Sequence, residues 1–169
     1  PWFAGVHLID EPGTPYFRTE VAATQMADFK EIAAKLNDLN IPMYGGLFGM
    51  DLSKGISDET VEIYDRYVKE WIQTVNPKYI LYDRYIFDDN CGTKNAALYF
   101  KNMEIVRNNA EEANIPFMLH VEAGQQWNDN MEYFDSNGYY PSQGEFYWNV
   151  GTLLAFGAKG ISYFPLIQP

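Results

Sequence analysis

Apolar positions along this chain switch regularly between two spacings. Residues 4–10 carry Val6, Leu8 and Ile9 and predict a short buried strand. From Val21 to about Leu39 the residues Val21, Met26, Phe29, Ile32, Ala33, Leu36 and Leu39 fall at helical spacing, with charged residues opposite. The stretch "IPMYGGLFG" (41–49) predicts a second strand, opened by Pro42 and loosened by Gly45 and Gly46. "SDET" (57–60) offers Ser57 as an N-cap with acids in the first turn. The helix that follows carries Val61, Tyr64, Tyr67, Val68, Trp71 and Ile72 on one stripe and must stop near Asn76-Pro77. "KYILYDRYIF" (78–87) predicts a third strand, "DDNCGTKN" a loop, and 95–113 a further amphipathic helix with Leu98, Met103, Ile105, Val106, Ala110 and Ala113. "IPFMLHVEAG" (115–124) predicts a fourth strand, followed by a polar and aromatic stretch at 125–144. A helix from about Glu145 to Phe156 ends at Gly157, and "KGISYFPLI" (159–167) predicts a fifth strand.

Strands separated by helices of this length require crossovers of one hand, hence a parallel sheet. Two α/β architectures fit: a doubly wound open sheet, or consecutive units of a (β/α)8 TIM barrel, of which five strands are present. The turn after the first strand, "DEPGTPYF", contains no GxGxxG, so no dinucleotide cofactor is implied there. No linker or low-complexity tract divides the chain, and residues 1–169 are expected to form a single domain.

Composition narrows the function without choosing it. The 169 residues suit one domain or part of a larger one, and 47% apolar content argues against disorder. A net charge of −11 argues against nucleic acid or an anionic membrane surface as the main partner. Cys91 is the single cysteine, which rules out an internal disulfide and a cysteine-ligated zinc site. No run of about 18 apolar residues is present to span a membrane. The sequence opens at Pro1-Trp2 with neither a signal peptide nor an initiating Met, so the expectation is that the true N-terminus was removed or lies elsewhere, and localisation stays open. Aromatic residues reach 17%, which serves a Tyr-rich core and surface or, alternatively, stacking platforms for sugar rings.

The candidate chemistry lies at the strand tips, where α/β folds place their functional groups. In order these tips read Asp10-Glu11, Gly49-Met50-Asp51, Asp83-Arg84-Tyr85, Glu122 and Gln168. Alternation groups His7, Ile9 and Glu11 on one face of the first strand, Leu81, Asp83 and Tyr85 on the third, and Met118, His120 and Glu122 on the fourth, with a slip of one residue open near Pro12 and Gly124. Each has a plainer alternative. Asp10 and Glu11 could be solvated turn acids, Asp83-Arg84 a rim ion pair, and each His a hydrogen-bonded core residue. Glu122, between Val121 and Ala123, is the hardest to explain as structural.

"IDEPG" and "LHVEAG", with the closing "WNVGTLLAFGAKGISYFPL", resemble motifs of the retaining (β/α)8-barrel glycoside hydrolases, the large clan that includes β-galactosidases, cellulases and many gut-bacterial polysaccharide enzymes. In that clan a Glu ending the fourth strand is the acid/base and a Glu ending the seventh is the nucleophile. Two complete strands separate Glu11 from Glu122, the spacing those positions require. The resemblance implies that the chain supplies strands four to eight, with Glu11 as acid/base and Glu122 as nucleophile of a retaining glycosidase that needs no cofactor or metal. It implies sugar contacts from Asp10, Asp83, Tyr85, His120 and Trp127, with Tyr85 as the donor that steadies Glu122. The clan's usual Asn before the acid/base is replaced here by Asp10. The missing strands would come from another chain or segment. Two other readings are carried: a metal-dependent sugar isomerase or hydrolase using His7, Asp83, His120 and Glu122, and a non-catalytic carbohydrate-binding barrel.

Overall fold

The computed structural model describes residues 5–12, 19–50, 55–87, 96–123 and 141–164. Strands and helices alternate: β1 (Val6–Asp10), α1 (Thr19–Asp38), β2 (Met43–Leu47), α2 (Asp58–Val75), β3 (Ile80–Asp83), α3 (Ala96–Ala113), β4 (Phe117–Glu122), α4 (Gln143–Ala155) and β5 (Gly160–Phe164). The result is a parallel α/β fold with a five-stranded sheet in the order β1-β2-β3-β4-β5. That order never reverses. A doubly wound sheet needs a reversal at its switch point, so the sheet is singly wound.

Right-handed crossovers between neighbouring strands put every helix on the same side. The burial agrees. One core cluster joins Phe29 and Ala33 of α1, Tyr64, Val68 and Trp71 of α2, Leu98, Met103 and Val106 of α3 and Leu153 of α4 to alternate strand residues. Those strand residues are Met43 and Leu47, Ile80 and Tyr82, and Phe117, Leu119 and Val121. The intervening residues therefore stand on the opposite, helix-free face.

The helix ends follow local chemistry. Ser57 caps α2 and Ser142 caps α4, each in a reciprocal capping box, with Thr60 and Glu145 respectively. The Ser142 cap sets the start of α4 two residues before the expected Glu145. Asn40, Asn76 and Asn114 end α1, α2 and α3 in the left-handed conformation, a role Asn tolerates better than most residues. Ile41 and Ile115 then donate back to Leu36 and Ala110, five residues earlier, which closes α1 and α3 in the same way.

Strand β3 ends at Asp83, short of the expected Phe87, because the N–H groups of Ile86 and Phe87 leave the ladder for a side-chain acceptor. Buried Asn102 of α3 accepts from the Met50 N–H at 2.6 Å and donates to the Tyr64 hydroxyl at 3.0 Å, fixing the exit from β2. No described helix is long and apolar enough to cross a membrane.

Candidate active site

The helix-free face carries Tyr44 and Gly46 on β2, Leu81 and Asp83 on β3, Met118, His120 and Glu122 on β4, and Gly160, Ser162 and Phe164 on β5, as alternation from the core residues requires. Strand β1 breaks the pattern. His7 pairs with Tyr44 and Asp10 with Gly46, so three steps on β1 oppose two on β2. This bulge brings Asp10 to the face of His7. The expected grouping of His7, Ile9 and Glu11 is corrected on this point: one extra residue puts Asp10 on the open face with His7.

The bulge is built with two devices. The His7 Nε2 accepts the Gly46 N–H at 3.1 Å, which satisfies a ladder donor that the bulge leaves without a regular partner. Gly46 has no side chain because a Cβ there would lie 2.6 Å from the Asp10 Oδ1. Glu11 follows with φ 49°, a left-handed conformation that costs a residue with a side chain on the order of 1 kcal/mol. Its N–H is held by the Gly46 carbonyl at 2.7 Å, and the next residue, Pro12, gives its carbonyl to the buried Tyr67 hydroxyl at 2.8 Å.

Three carboxyls meet at this corner. Partial burial, then the charge of Asp10, raises the Glu11 carboxyl above its ordinary range, and a hydrogen bond with Asp83 recovers part of the shift. Asp83 is pushed up to about 8, first by burial and then by the charges of Glu11 and Asp10. Arg84, 7% exposed and packed beside Gly49, lowers Asp83 only in part. The Asp83 Oδ1 is buried and has no hydrogen-bond partner.

Glu122 has the opposite surroundings. It is 1% exposed at the end of a regular strand. Its Oε2 accepts the Ile86 N–H at 2.8 Å and the Phe87 N–H at 3.0 Å, and Oε1 accepts Phe87 at 3.2 Å. Two backbone donors suit an ionised group.

Tyr85 stands between the two arrangements. Burial, then the charges of Asp83, Asp10, Glu11 and Glu122, hold its hydroxyl far above the ordinary phenol range. It therefore remains an O–H donor, and its ring stacks on Phe164 at 5.7 Å. The charges of four acids from three strand tips thus all act on one phenol.

His120 is the register partner of Asp83. Burial lowers its pKa ahead of the opposing effect of Asp10, and its Nδ1 is buried without a partner. His7, Tyr44 and Tyr79 form a stacked row, with centroids 5.1 and 5.0 Å apart. Trp148, read as a packing residue, touches Phe87, Tyr99 and Phe100 edge-on or tilted, and is 41% exposed. Trp127, the expected sugar platform, lies outside the described residues, as do Cys91, Asp51 and Gln168. Among the described residues no group of three His, Cys, Asp or Glu side chains is disposed to hold a metal ion, so His7, Asp83, His120 and Glu122 are not gathered as a ligand set.

Residue-type reasoning missed the backbone donors at 86 and 87, since any residue supplies an N–H. It also missed the part played by Gly46, although a glycine pair inside a strand is itself a signal of close approach.

No family model matches this chain, and no curated protein matches it. Among solved structures, a candidate alpha-L-fucosidase from Bacteroides thetaiotaomicron is similar, with TM-score 0.58 and 7% identity over 93% of this chain. The match covers 44% of that structure, so the chain spans less than half its length. A chitinase from Chromobacterium violaceum matches with TM-score 0.37 and 11% identity over 77% of this chain and 51% of its own, too weak a likeness to argue from. The fucosidase match is a likeness of fold.

Proposed function

We propose that the chain is part of a glycoside hydrolase and supplies five consecutive strands of a (β/α)8 barrel. The observation that carries this is that acids at the tips of β1, β3 and β4, Glu122 among them on the helix-free face, all act on the Tyr85 hydroxyl. The singly wound sheet and the fold it shares with a longer protein of fucosidase description support the same reading. In a barrel, the helix-free face is the lumen and the strand tips form its mouth.

In the mechanism, Glu122 attacks the anomeric carbon and Glu11 protonates the departing oxygen. Glu11 then takes a proton from the water that hydrolyses the glycosyl ester. Enzymes of this kind retain the configuration of the product and hold their two carboxyls about 5–5.5 Å apart. The environments divide the roles: partial burial and the charge of Asp10 favour a proton on Glu11, while backbone N–H donors favour charge on Glu122. Asp10 accepts from a sugar hydroxyl, His120 and Tyr85 contribute sugar contacts, and Trp127 provides a platform. Three further strands, from another chain or segment, close the sheet between β5 and β1.

One observation favours a second assignment within the same activity. Glu122 is nearly inaccessible and its oxygens are occupied, as in a brace that holds residues 86–87. Glu11 and Asp83 would then be the working pair. Glu122→Ala separates the two. With Glu122 as nucleophile, added azide restores turnover of an aryl glycoside and yields the glycosyl azide. With Glu122 as brace, azide restores nothing and the melting temperature falls.

The reading itself is tested by a panel of aryl glycosides. Hydrolysis with retention is expected for at least one sugar, and it should be lost in Glu11→Gln and Glu122→Gln. Oligosaccharide binding with no product across the panel would support a carbohydrate-binding barrel instead.

A further inference from the structure

We propose that His7 is a positioning residue: as the Nδ1–H tautomer it latches Gly46 of β2, and through that latch it sets where the β1 tip carries Asp10 and Glu11. The consequence for catalysis rests on Glu11 as the acid/base, whereas the latch itself does not.

The bulge gives the latch its place. His7 pairs with Tyr44 and Asp10 with Gly46, so β1 takes three steps where β2 takes two. In a regular parallel pair continuing from His7 and Tyr44, the Gly46 carbonyl would accept the N–H of residue 10. Here it accepts the Glu11 N–H, at 2.7 Å. The Gly46 N–H donates to the His7 Nε2 at 3.1 Å, from a side chain that reaches forward along its own strand. Gly46 is therefore held to β1 on both flanks of the bulged segment, by the His7 ring before it and by the Glu11 main chain after it.

The hydrogen bond also sets the state of the ring. A ring nitrogen that accepts an N–H carries a lone pair, so in the neutral imidazole the proton lies on Nδ1. His7 is exposed on the helix-free face, so burial does not hold it in place. Its face stacks on Tyr44 at 5.1 Å and 25°, and Tyr44 stacks in turn on Tyr79 at 5.0 Å and 28°. One contact fixes the plane of the ring and the other fixes its edge.

Gly46 is the point where this hold reaches the acids. A Cβ there would lie 2.6 Å from the Asp10 Oδ1 and 3.8 Å from the His7 Nε2, so the carboxyl and the ring nitrogen flank one backbone position. Moving Gly46 against β1 moves the seat of Asp10 and the acceptor of the Glu11 N–H together. His7 acts on both acids through Gly46 and needs no contact with substrate.

His7→Phe keeps a ring for Tyr44 and removes the acceptor. His7→Gln supplies an acceptor oxygen at similar reach and removes the ring. At neutral pH, the rate of His7→Phe on a phenol-leaving glycoside should fall about tenfold or more, in kcat rather than KM, because a displaced Glu11 donates its proton poorly. A dinitrophenyl glycoside of the same sugar, which needs little acid assistance, should lose less than about threefold. His7→Gln should return to within about threefold of the wild type on both substrates. Full activity in His7→Phe, or equal losses in the two variants, would overturn the proposal.

Nitrogen-15 NMR reads the latch in the wild-type chain without any turnover. At about pH 8, where an ordinary imidazole is neutral, a scalar coupling across the hydrogen bond is expected between the Gly46 amide nitrogen and the His7 Nε2, with the ring proton on Nδ1. The Glu11 amide resonance should shift in His7→Phe and return in His7→Gln. A proton on Nε2, or no coupling between the two nitrogens, would overturn the inference whether or not either variant folds. If the coupling is present and no glycoside is hydrolysed, the latch stands and only the glycosidase reading falls.

Discussion

The tips of β1 and β4 each end in a glutamate, and the chain treats the two in opposite ways. At β1 the strand bulges, Glu11 takes a left-handed φ of 49°, and its neighbours are two further carboxyls. At β4 the strand is regular and Glu122 is 1% exposed, with two backbone N–H groups on its oxygens. Crowding with like charge favours the protonated form, and N–H donation favours the ionised one. The same residue type is thereby biased toward opposite protonation states by its surroundings rather than by its own chemistry.

Removing the carboxylate at β4 should break this comparison most severely. Glu122→Gln sets an amide against two buried N–H donors. Activity should fall by more than about 10⁴-fold, and stability by about 1–3 kcal/mol, measured by aryl glycoside hydrolysis and urea titration. Glu11→Gln should cost about 10²–10⁴ in rate on poor leaving groups. The folded state should be as stable as the wild type or slightly more so, since Gln keeps the shape of the protonated acid and cannot ionise beside Asp10 and Asp83; a marked loss of stability would show that the β1 tip is a structural acid.

Gly46→Ala sharpens the comparison without touching either glutamate. Its Cβ would displace the Asp10 carboxyl, with strain of about 1–3 kcal/mol, and kcat/KM should drop while the Glu122 bonds persist. The dependence of stability on pH gives a smaller signal. Asp83 binds its proton more tightly folded than unfolded, so its contribution is full below the ordinary carboxylate range and is lost as pH rises through about 8. The melting temperature of Asp83→Asn should therefore gain on the wild type between pH 5 and pH 9, and a constant difference would contradict the shift.

The element order was legible because each switch from helical to alternating spacing was marked by a Ser cap, an Asn or a Pro. Alternation also assigned β3 and β4 correctly: Asp83 and His120 are register partners on the open face. It failed at β1, because a bulge adds one residue without changing the residue types on either side. The strand order that excludes a doubly wound sheet was not legible either, since crossover helices read the same in both architectures. At the site, the acids were visible as residues out of place on apolar strands. Their division into a crowded set and a pinned one was not, because it depends on Gly46 leaving room and on N–H groups that every residue carries.

The central claim is that Glu11 and Glu122 act from opposite sides of one glycosidic bond. Its most direct test is to incubate the protein with 2-deoxy-2-fluoro glycosyl fluorides of the sugar found in the screen and map the trapped ester by peptide mass spectrometry. The ester should lie on Glu122, and it should accumulate in the wild type and in Glu11→Gln alike. An ester on Asp83, or turnover with inverted configuration and no ester, would contradict the claim.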